Sequence, residues 1–301
     1  MNYPKVSIII LNWNGLKDTI ECLESLKKIT YPNYKVIVVD NDSEGNDADI
    51  LEERYKDYIN VIRNKENLGF TGGNNIGIRQ AIEDQSEYAL LLNNDTIVEP
   101  NFLDELVKTA LQDEKIAIIG SVIANYYTKK VVFTNAKVDK KLKMESRIDY
   151  LNLNKDYWET DGVNGAAMMF RLKPLIKCSL FLDENLFLYC DELDVCYRAK
   201  KQGFKIAVAR RSRVYHKEGQ STGGAISPTT VYYVLRNRIL LSKKLLSFRE
   251  QVVFWLSFLP ARLFRALEWF LIGKWKLIRI SYFAFVDGIM NRIGKTKRKL
   301  N

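Results

Sequence analysis

The chain has 301 residues, 47% hydrophobic and 27% charged, a composition that indicates a folded globular protein rather than a disordered or fibrous one. Its formal net charge is +10, and the excess is confined to residues 236–301, which carry 15 Lys/Arg and 3 Asp/Glu (net +12), whereas residues 1–235 carry 31 basic and 33 acidic residues (net −2). The four cysteines form no CxxC pair and the only histidine is His216, which disfavours a Cys/His zinc site and favours unpaired, mostly buried thiols in a reducing cytosol.

Strands and helices alternate along the first 125 residues. Short aliphatic or β-branched runs predict buried strands at residues 6–11, 36–39, 60–63, 89–92 and 116–122. Apolar residues at helical spacing predict helices over residues 16–26 and 48–58 and from Pro100 to Ala110. A further helix is predicted after the glycine-rich stretch 67–77 and ends at about residue 82. This alternation predicts a doubly wound α/β fold with a mostly parallel sheet.

The remaining chain is less regular. Residues 126–160 hold only short strand-like pieces such as 131–134, and we assign them no further. A turn of small residues from Gly162 feeds a strand that ends at Phe170. A helix is predicted from Asp191 to Gln202, and strands at 206–209 and 213–215. We divide the chain into a catalytic domain, residues 1–235, and an amphipathic helical region, residues 236–301.

Polar clusters follow three of the predicted strands, at residues 12–15, 40–43 and 93–95. The carboxyl ends of parallel strands share one edge, so these clusters can converge on one cleft. The carboxylate of Asp95, flanked by amides, suits a hard cation such as Mg²⁺ or Mn²⁺ that is completed by water and substrate phosphates. Taken alone, Asn-Asn-Asp is explained equally well as a turn.

The glycine-rich stretch Asn67–Gly77 is predicted to be a loop that leads from a strand into a helix. Glycines let backbone N–H groups approach a phosphate or a sugar closely. The stretch matches neither GxGxxG nor GxxxxGK[ST]. A structural tight turn therefore explains it about as well as a binding loop does.

Asp191, Glu192 and Asp194 lie in the first turn of a predicted helix, where the macrodipole favours acidic residues. The same cluster can supply a general base, since crowded carboxylates raise one another's pKa. His216 follows a strand and enters a Gly/Ser/Thr-rich loop that extends to Gly224. It is either a packing residue or a metal ligand next to a gating loop.

Taken in this order, the segments resemble the family-2 glycosyltransferases, inverting enzymes of the GT-A fold, and most of all their bacterial rhamnosyltransferase-like branch. The resemblance extends from about Lys5 to Asn237. The matching segments are VSIIILNWNG, VIVVDNDS, NLGFTGGNNIG, LLLNNDT, GAAMMF, FLYCDELDVCYRAKKQGF, HKEGQSTGG and YYVLRNR.

The resemblance implies a nucleotide-sugar donor, UDP- or dTDP-linked, with rhamnose as one candidate sugar, and Mg²⁺ or Mn²⁺ as cofactor. Asp40 would hydrogen-bond the pyrimidine. Asp95 would bind the metal at the position of the family's DxD-type motif, and His216 would be the second protein ligand near the diphosphate. The residues implied in donor binding are Asn12, Asn14, Asp40, Asn41, Gly69, Phe70, Gly73, Asn74, Asn94 and Gly165.

The implied catalytic base is Glu192 or Asp191, with Asp194 in support. Glu192 is favoured because it aligns with the Asp of the family's Glu-Asp pair. Two positions depart from the family pattern. Asn93 occupies the first DxD position, which leaves fewer charges for the metal, and Gly45 replaces an Asp that is displaced here to Asp47. The second departure leaves the ribose or base contact open.

The C-terminal region combines its basic residues with Trp255, Trp269 and Trp275. Its longest charge-free stretch, residues 252–261, is far shorter than the ~20 apolar residues that span a bilayer. Basic-aromatic amphipathic helices favour a membrane surface. The alternatives are a solvated helical subdomain and a homodimer interface. Nucleic acid is the least favoured partner, because aliphatic runs interrupt the basic residues.

The sequence therefore predicts an inverting, metal-dependent glycosyltransferase that is cytoplasmic and peripheral on the inner face of the cell membrane. Its acceptor would be a saccharide or a lipid-linked hydroxyl in cell-surface polysaccharide synthesis. A nucleotidyltransferase, which would release pyrophosphate from a nucleoside triphosphate, is the enzymatic alternative. A non-catalytic sugar-nucleotide-binding scaffold is the alternative from a different class.

Overall fold

The computed structural model describes residues 3–139, 142–148, 156–217 and 226–300. Its strands are β1 (Val6–Asn12), β2 (Tyr34–Asp40), β3 (Ile59–Arg63), β4 (Tyr88–Asn93), β5 (Thr96–Val98), β6 (Ile116–Asn125), β7 (Val131–Phe133), β8 (Asn135–Val138), β9 (Met144–Arg147), β10 (Tyr157–Glu159), β11 (Ala167–Arg171) and β12 (Lys205–His216). Its helices are α1 (Leu16–Leu26), α2 (Asp47–Tyr55), α3 (Gly69–Glu83), α4 (Phe102–Leu111), α5 (Leu172–Lys177), α6 (Asp191–Lys201), α7 (Pro228–Leu245), α8 (Phe248–Leu271) and α9 (Trp275–Ile289).

A mixed ten-stranded sheet forms the centre of the molecule, with the strand order β10-β12-β6-β11-β4-β1-β2-β3 and with β5 and β7 attached to β12 and β6. The pairs β1–β2, β1–β4, β2–β3 and β6–β12 are parallel, whereas β11 is inserted antiparallel between β4 and β6. The predicted α/β alternation with a mostly parallel sheet is confirmed. As a result, β1, β2, β4, β6 and β12 all end at one edge.

The aliphatic runs explain this sheet. The side chains from Val6 to Ile10 and from Val36 to Val39 are at most 2% exposed, because helices cover both faces and strands buried on both sides are apolar throughout. The four cysteines are all free, and three of them are buried, as predicted.

The prediction for the glycine-rich stretch is wrong in one respect: α3 already begins at Gly69, so most of this stretch is helix and not loop. Close packing on β1 is the reason. A Cβ added at Gly73 would lie 2.4 Å from Leu11 Cδ1, and one at Gly77 would lie 2.3 Å from Ile9 Cγ2. The glycines let α3 approach the sheet more closely than residues with side chains would allow.

Two other predictions differ from the structure in their bounds. The two strands predicted at 206–209 and 213–215 are one strand, β12, whose register against β6 shifts between Ala209 and Arg213. The helix predicted over 48–58 ends at Tyr55 and continues as a 3₁₀ turn, Lys56–Tyr58. The unassigned stretch 126–160 contributes the four short strands from β7 to β10.

Helices α7, α8 and α9 form a second apolar cluster, in which Tyr232, Ile239, Phe254 and Ile280 are buried. The predicted division between residues 235 and 236 falls inside α7. Among the described residues, no helix combines the length and the apolar character that crossing a bilayer requires.

Candidate active site

Asn12 lies at the edge where the parallel strands end. Its side chain is fully buried at the end of β1, beside Asp40 of β2. Its Nδ2 donates to Asp40 Oδ1 at 2.9 Å and to Asp47 Oδ2 at 3.0 Å. Its Oδ1 accepts from the hydroxyl of Thr19 at 2.7 Å. Asp47, the displaced acid of the second motif, therefore reaches the same cluster as Asp40.

Asn14 and Asn41 fasten the loops of this edge. Asn14, in the left-handed region at φ 53°, accepts from the backbone N–H of Glu44 at 2.7 Å. Asn41 donates to the Gly69 carbonyl at 3.2 Å and accepts from the Leu68 N–H at 3.1 Å. These contacts give both asparagines a positioning role in the structure, whatever else they bind.

Asp95 and His216 meet at the same edge. Strand β5 pairs antiparallel with β12 and places Thr96 opposite His216, so that Asp95 Oδ1 lies 3.0 Å from His216 Nε2. The Lys217 N–H donates to the Asp95 carbonyl at 3.0 Å. Both side chains are largely buried, with 9% of Asp95 and 12% of His216 exposed.

One nitrogen of this pair has no partner. His216 Nδ1 is buried and makes no hydrogen bond within the described part of the chain. Buried polar atoms are normally paired, so an orphan of this kind marks a site that a ligand completes.

The donor set fits a divalent ion that is shared with a substrate. Asp95 and His216 offer one carboxylate and one imidazole, and Asn93 Nδ2 lies 3.4 Å from the same imidazole nitrogen. No group of three or more His, Cys, Asp or Glu side chains in the described ranges could hold a metal by itself. Phosphate oxygens and water would have to fill the remaining positions, which is usual for Mg²⁺.

The segment next to the end of β4 leaves open space at one glycine. Gly165 lies in the segment before β11, and the Ala166 carbonyl accepts from the Asn93 N–H at 3.0 Å. A Cβ added at Gly165 would meet nothing within 4 Å. Asn94 is instead engaged with α1, since its Nδ2 donates to the Thr19 hydroxyl at 3.0 Å.

The N-terminus of α3 links this edge to the acidic cluster. Gly69 has φ 73°, and the Thr71 N–H donates to the Phe187 carbonyl at 3.3 Å. Asn74, three residues further along α3, donates to the Phe70 carbonyl of its own helix at 2.8 Å and to no other group among the described residues. Phe187 belongs to the segment that leads into α6, which begins at Asp191.

Asp191 and Glu192 form a coupled carboxyl pair. Burial raises the pKa of Asp191 well above its usual range, and the neighbouring charge of Glu192 raises it further. Burial also raises the pKa of Glu192, whereas a hydrogen bond with Asp191 lowers it. Burial of both groups and the repulsion between their charges therefore favour a protonated carboxyl within this pair. Asp191 is 3% exposed and its Oδ2 has no partner among the described residues, whereas Glu192 is partly exposed.

Asp194 differs from these two residues. It is fully buried, with Arg198 2.7 Å from its Oδ2 and Lys244 2.8 Å from its Oδ1. Both oxygens are thus neutralised by cations, and Lys244 belongs to α7. Asp194 anchors α6 to α7, and its support for the neighbouring pair is therefore structural.

Sequence reasoning missed the roles of Arg236 and Asn237 on α7, although it noted the segment YYVLRNR. The fully buried Asn237 donates to three carbonyls of the segment before α6: Leu186 (3.0 Å), Leu188 (2.8 Å) and Tyr189 (2.9 Å). Arg236 donates to the Leu186 carbonyl at 2.9 Å. The sequence offers no local signal for these roles, because α7 also carries Arg238, Lys243 and Lys244.

Lys217 is a third residue whose role the sequence reasoning missed. Its ammonium group lies 2.5 Å from Asp18 and 2.6 Å from Glu21 on α1, and these two carboxylates raise its pKa even though burial opposes them. This contact fixes the end of β12 next to His216. The gating loop predicted after it lies, from residue 218 to 225, outside the described residues.

The sequence matches the family model described as Glycosyl transferase family 2 over residues 7–178. It is 25% identical over 309 residues to the low-salt glycan biosynthesis hexosyltransferase Agl10 of Haloferax volcanii, covering 97% of this chain and 94% of that protein. It is also 25% identical over 269 residues to the dTDP-rhamnosyl transferase RfbF of Shigella flexneri, covering 84% and 86% of the two chains.

Two solved structures share the fold. GalNAc-T7, crystallised with UDP, GalNAc and Mn²⁺, aligns with a TM-score of 0.68 at 17% identity, over 80% of this chain and 48% of that one. The chain thus spans about half the length of GalNAc-T7. The mannosyltransferase PcManGT of Pyrobaculum calidifontis, in complex with GDP-Man and Mn²⁺, aligns with a TM-score of 0.61 at 12% identity, over 96% and 76% of the two chains.

Proposed function

The chain belongs to glycosyl transferase family 2 and has the GT-A fold, and we propose that it is an inverting glycosyltransferase that uses a nucleoside-diphosphate sugar and a divalent metal. The observation that carries this proposal is the 3.0 Å contact between Asp95 and His216 at the edge where β1, β2 and β4 end. Ligands of open α/β sheets bind at such an edge.

The sugar donor lies along this edge in our proposal. The cluster around Asn12 holds the carboxylate of Asp40 for the nucleotide base, and the open space at Gly165 accommodates the sugar diphosphate. Asp95 and His216 would hold Mg²⁺ or Mn²⁺, which when bound neutralises the charge on the leaving diphosphate. The metal complexes of GalNAc-T7 and PcManGT support this choice.

Glu192 acts as the base in this proposal. Its carboxylate removes the proton of the acceptor hydroxyl while that oxygen attacks the anomeric carbon, and the bond to the diphosphate breaks on the opposite face. A single displacement inverts the configuration and needs no protein nucleophile. We assign this role to Glu192 because its side chain is partly exposed, whereas that of Asp191 is 3% exposed.

We infer the substrates from the relatives, and the location in the cell from the positive charge of the C-terminal region. We propose a UDP- or dTDP-sugar, with rhamnose as the candidate that RfbF supports, and a saccharide or lipid-linked acceptor of a cell-surface polysaccharide. We place the enzyme in the cytoplasm, at the inner face of the membrane. We retain the division into two parts but assign the whole of α7 to the C-terminal one, because a boundary after residue 235 would cut this helix.

Calorimetric titration of the full chain with UDP, dTDP and GDP, in Mn²⁺ and then in EDTA, tests the proposal. We expect one nucleoside diphosphate to bind only in Mn²⁺, and Asp95→Asn to abolish that metal dependence. Binding of none of them by folded protein would overturn the proposal. Release of pyrophosphate from a nucleoside triphosphate would establish the nucleotidyltransferase instead, and binding without any turnover would establish the scaffold.

A further inference from the structure

One side of α8 carries exposed apolar side chains along its whole length, with the exposed Arg249 near its N-terminal end. The large exposed side chains recur at helical spacing: Phe248, Val252, Val253, Leu256, Leu259, Leu263, Phe264, Leu267, Phe270 and Leu271. We call this set the outer face of α8. At a rise of 1.5 Å per residue the helix is about 36 Å long, so the face far exceeds the isolated apolar residues that are normal on protein surfaces.

The side chains in the central part of this face are highly exposed. Leu256 is 72% exposed, Leu263 71% and Phe264 72%. The opposite side of α8 holds the helix on the protein, with Phe254, Phe258 and Trp269 as its buried residues. The rings of Phe254 and Phe258 stack at 4.7 Å. The helix is therefore docked by one side and leaves the other without a protein partner among the described residues.

The width of the outer face favours a lipid surface over a second helix. At 100° per residue, Phe248 and Phe264 lie about 160° apart around the helix axis. A coiled-coil partner covers a narrower stripe of a helix. An apolar face this broad is the form that interfacial helices present to the boundary between head groups and acyl chains.

The charges around the outer face are almost all positive. Lys274, Lys276 and Arg279 follow α8 closely, are exposed, and make no ion pair in the part of the chain that the structure describes. The two carboxylates of α8 are both engaged: Glu250 in the N-terminal capping box and Glu268 with Arg265 at 2.8 Å. Trp275, which is 59% exposed, lies beside Phe270 at 4.7 Å. Basic and tryptophan side chains next to an apolar face suit anionic head groups.

From this combination we propose that the outer face of α8 binds the surface of an anionic membrane, with its leucines and phenylalanines below the head groups and Lys274 and Lys276 among them. The proposal rests on the membrane location proposed above and names the surface responsible for it. The enzyme would then be held at the bilayer by a face that takes no part in the chemistry.

Flotation of the full chain with vesicles tests this, because it measures lipid binding without any sugar donor or activity. Vesicles of phosphatidylglycerol and phosphatidylcholine are compared with phosphatidylcholine alone, using wild type, L256Q/L263Q and the matched control L111Q/I176Q. The control removes exposed leucine and isoleucine side chains, 59% and 50% exposed, from α4 and α5.

We expect the wild type and the control to float with the anionic vesicles and L256Q/L263Q to bind at least about tenfold more weakly. K274Q/K276Q should weaken binding to anionic vesicles only, and most clearly at low salt. Absence of wild-type binding, or equal binding by L256Q/L263Q and the control, would overturn the proposal. A wild-type dimer that L256Q/L263Q converts to a monomer, without vesicle binding, would assign the face to a second copy. Because binding of UDP, dTDP or GDP is measured separately, failure here leaves the sugar-donor proposal standing.

Discussion

The side-chain amide of Asn237 on α7 donates to the backbone carbonyl of Leu188 at 2.8 Å. That carbonyl lies in a segment where Phe187, Tyr189 and Cys190 have φ values of 64°, 66° and 64°. Such conformations cost on the order of 1–3 kcal/mol each for bulky residues and persist only when the surroundings impose them. Asn237 supplies this constraint immediately before Asp191 and Glu192.

Replacing Asn237 by alanine should therefore impair transfer more than it impairs sugar-donor binding. The change removes the side-chain donor of the Leu188 and Tyr189 carbonyls and one of the donors of the Leu186 carbonyl. We therefore expect kcat to fall at least about tenfold and stability to fall by about 1–3 kcal/mol. The affinity for the nucleoside diphosphate should stay within about twofold, because the side-chain hydrogen bonds of Asn237 go to the segment before α6 and to the neighbouring Arg236. Steady-state kinetics and calorimetry measure the two effects.

The matched control is Ser242→Ala, which removes a fully buried polar group from the same helix. Within the part of the chain that the structure describes, the Ser242 hydroxyl donates to the Ile239 carbonyl of its own helix, at 2.8 Å. It should lose stability without a selective loss of kcat. Equal kinetic effects of the two variants would show that Asn237 acts only through general stability.

The sheet and the cluster at its edge could be predicted because they depend on local signals. Each strand is a short apolar run that ends in polar residues, and parallel pairing then brings Asn12, Asp40 and Asn93 to one edge. The family resemblance predicts that Asp95 and His216 belong to one site, and in the structure Asp95 Oδ1 lies 3.0 Å from His216 Nε2.

What could not be predicted depends on contacts between distant segments. The sequence predicts a loop at the glycines of α3, because it does not show that Gly77 packs on Ile9 of β1. Asn237 lies about fifty residues from the carbonyls that it holds, and nothing local distinguishes it from a polar residue on the surface of a helix. The cation contacts of Asp194 were hidden for the same reason.

Gly77→Ala should destabilise the fold, although the same change usually stabilises a helix by about 1 kcal/mol. The new Cβ would lie 2.3 Å from Ile9 Cγ2 in the centre of the sheet. Overpacking of this kind costs about 1–3 kcal/mol, so we expect a lower midpoint in urea unfolding. Gly45→Ala is the control, because its Cβ would approach no atom closer than 3.7 Å. A rise in stability of Gly77→Ala would contradict the close packing.

Mn²⁺ should bind weakly to the protein alone and tightly in the presence of the nucleoside diphosphate. Asp95 and His216 supply only two protein ligands, and phosphate oxygens must complete the shell. Mn²⁺ is titrated with and without the nucleotide, and electron paramagnetic resonance of the free ion monitors each titration. The two titrations give the difference in Mn²⁺ affinity. We expect His216→Ala to weaken the ternary complex about 10- to 100-fold. Tight binding of Mn²⁺ without nucleotide would indicate a complete protein site elsewhere.

Asp287 of α9 should make the C-terminal region sensitive to acid. Hydrogen bonds from Arg298 hold the pKa of this carboxyl at about 2, and the Tyr232 hydroxyl adds to the effect. Since the pKa in the folded state lies below the ordinary value, the stabilisation is complete above about pH 4 and is lost as the pH falls towards 2. Asp287→Asn should cost about 2 kcal/mol at pH 7. In thermal unfolding, its difference from wild type should disappear near pH 2, and a difference that persists there would exclude the charge as its source.

Glu192→Gln should separate catalysis from binding and from stability. Because Glu192 must be ionised to accept a proton, its removal should lower kcat by about 10²–10⁴-fold and leave the binding of the nucleoside diphosphate unchanged.

Burial raises the pKa of Glu192 above its ordinary range. Consequently kcat/KM of the wild type should fall with decreasing pH at a value above that of a free glutamate. The buried charge also costs folding energy above that pKa, so Glu192→Gln should unfold at a higher temperature at pH 8 than wild type. Asp191→Asn, which keeps the shape of the side chain and leaves Glu192 in place, should retain much of the activity. If Asp191→Asn abolishes transfer while Glu192→Gln retains it, Asp191 is the base.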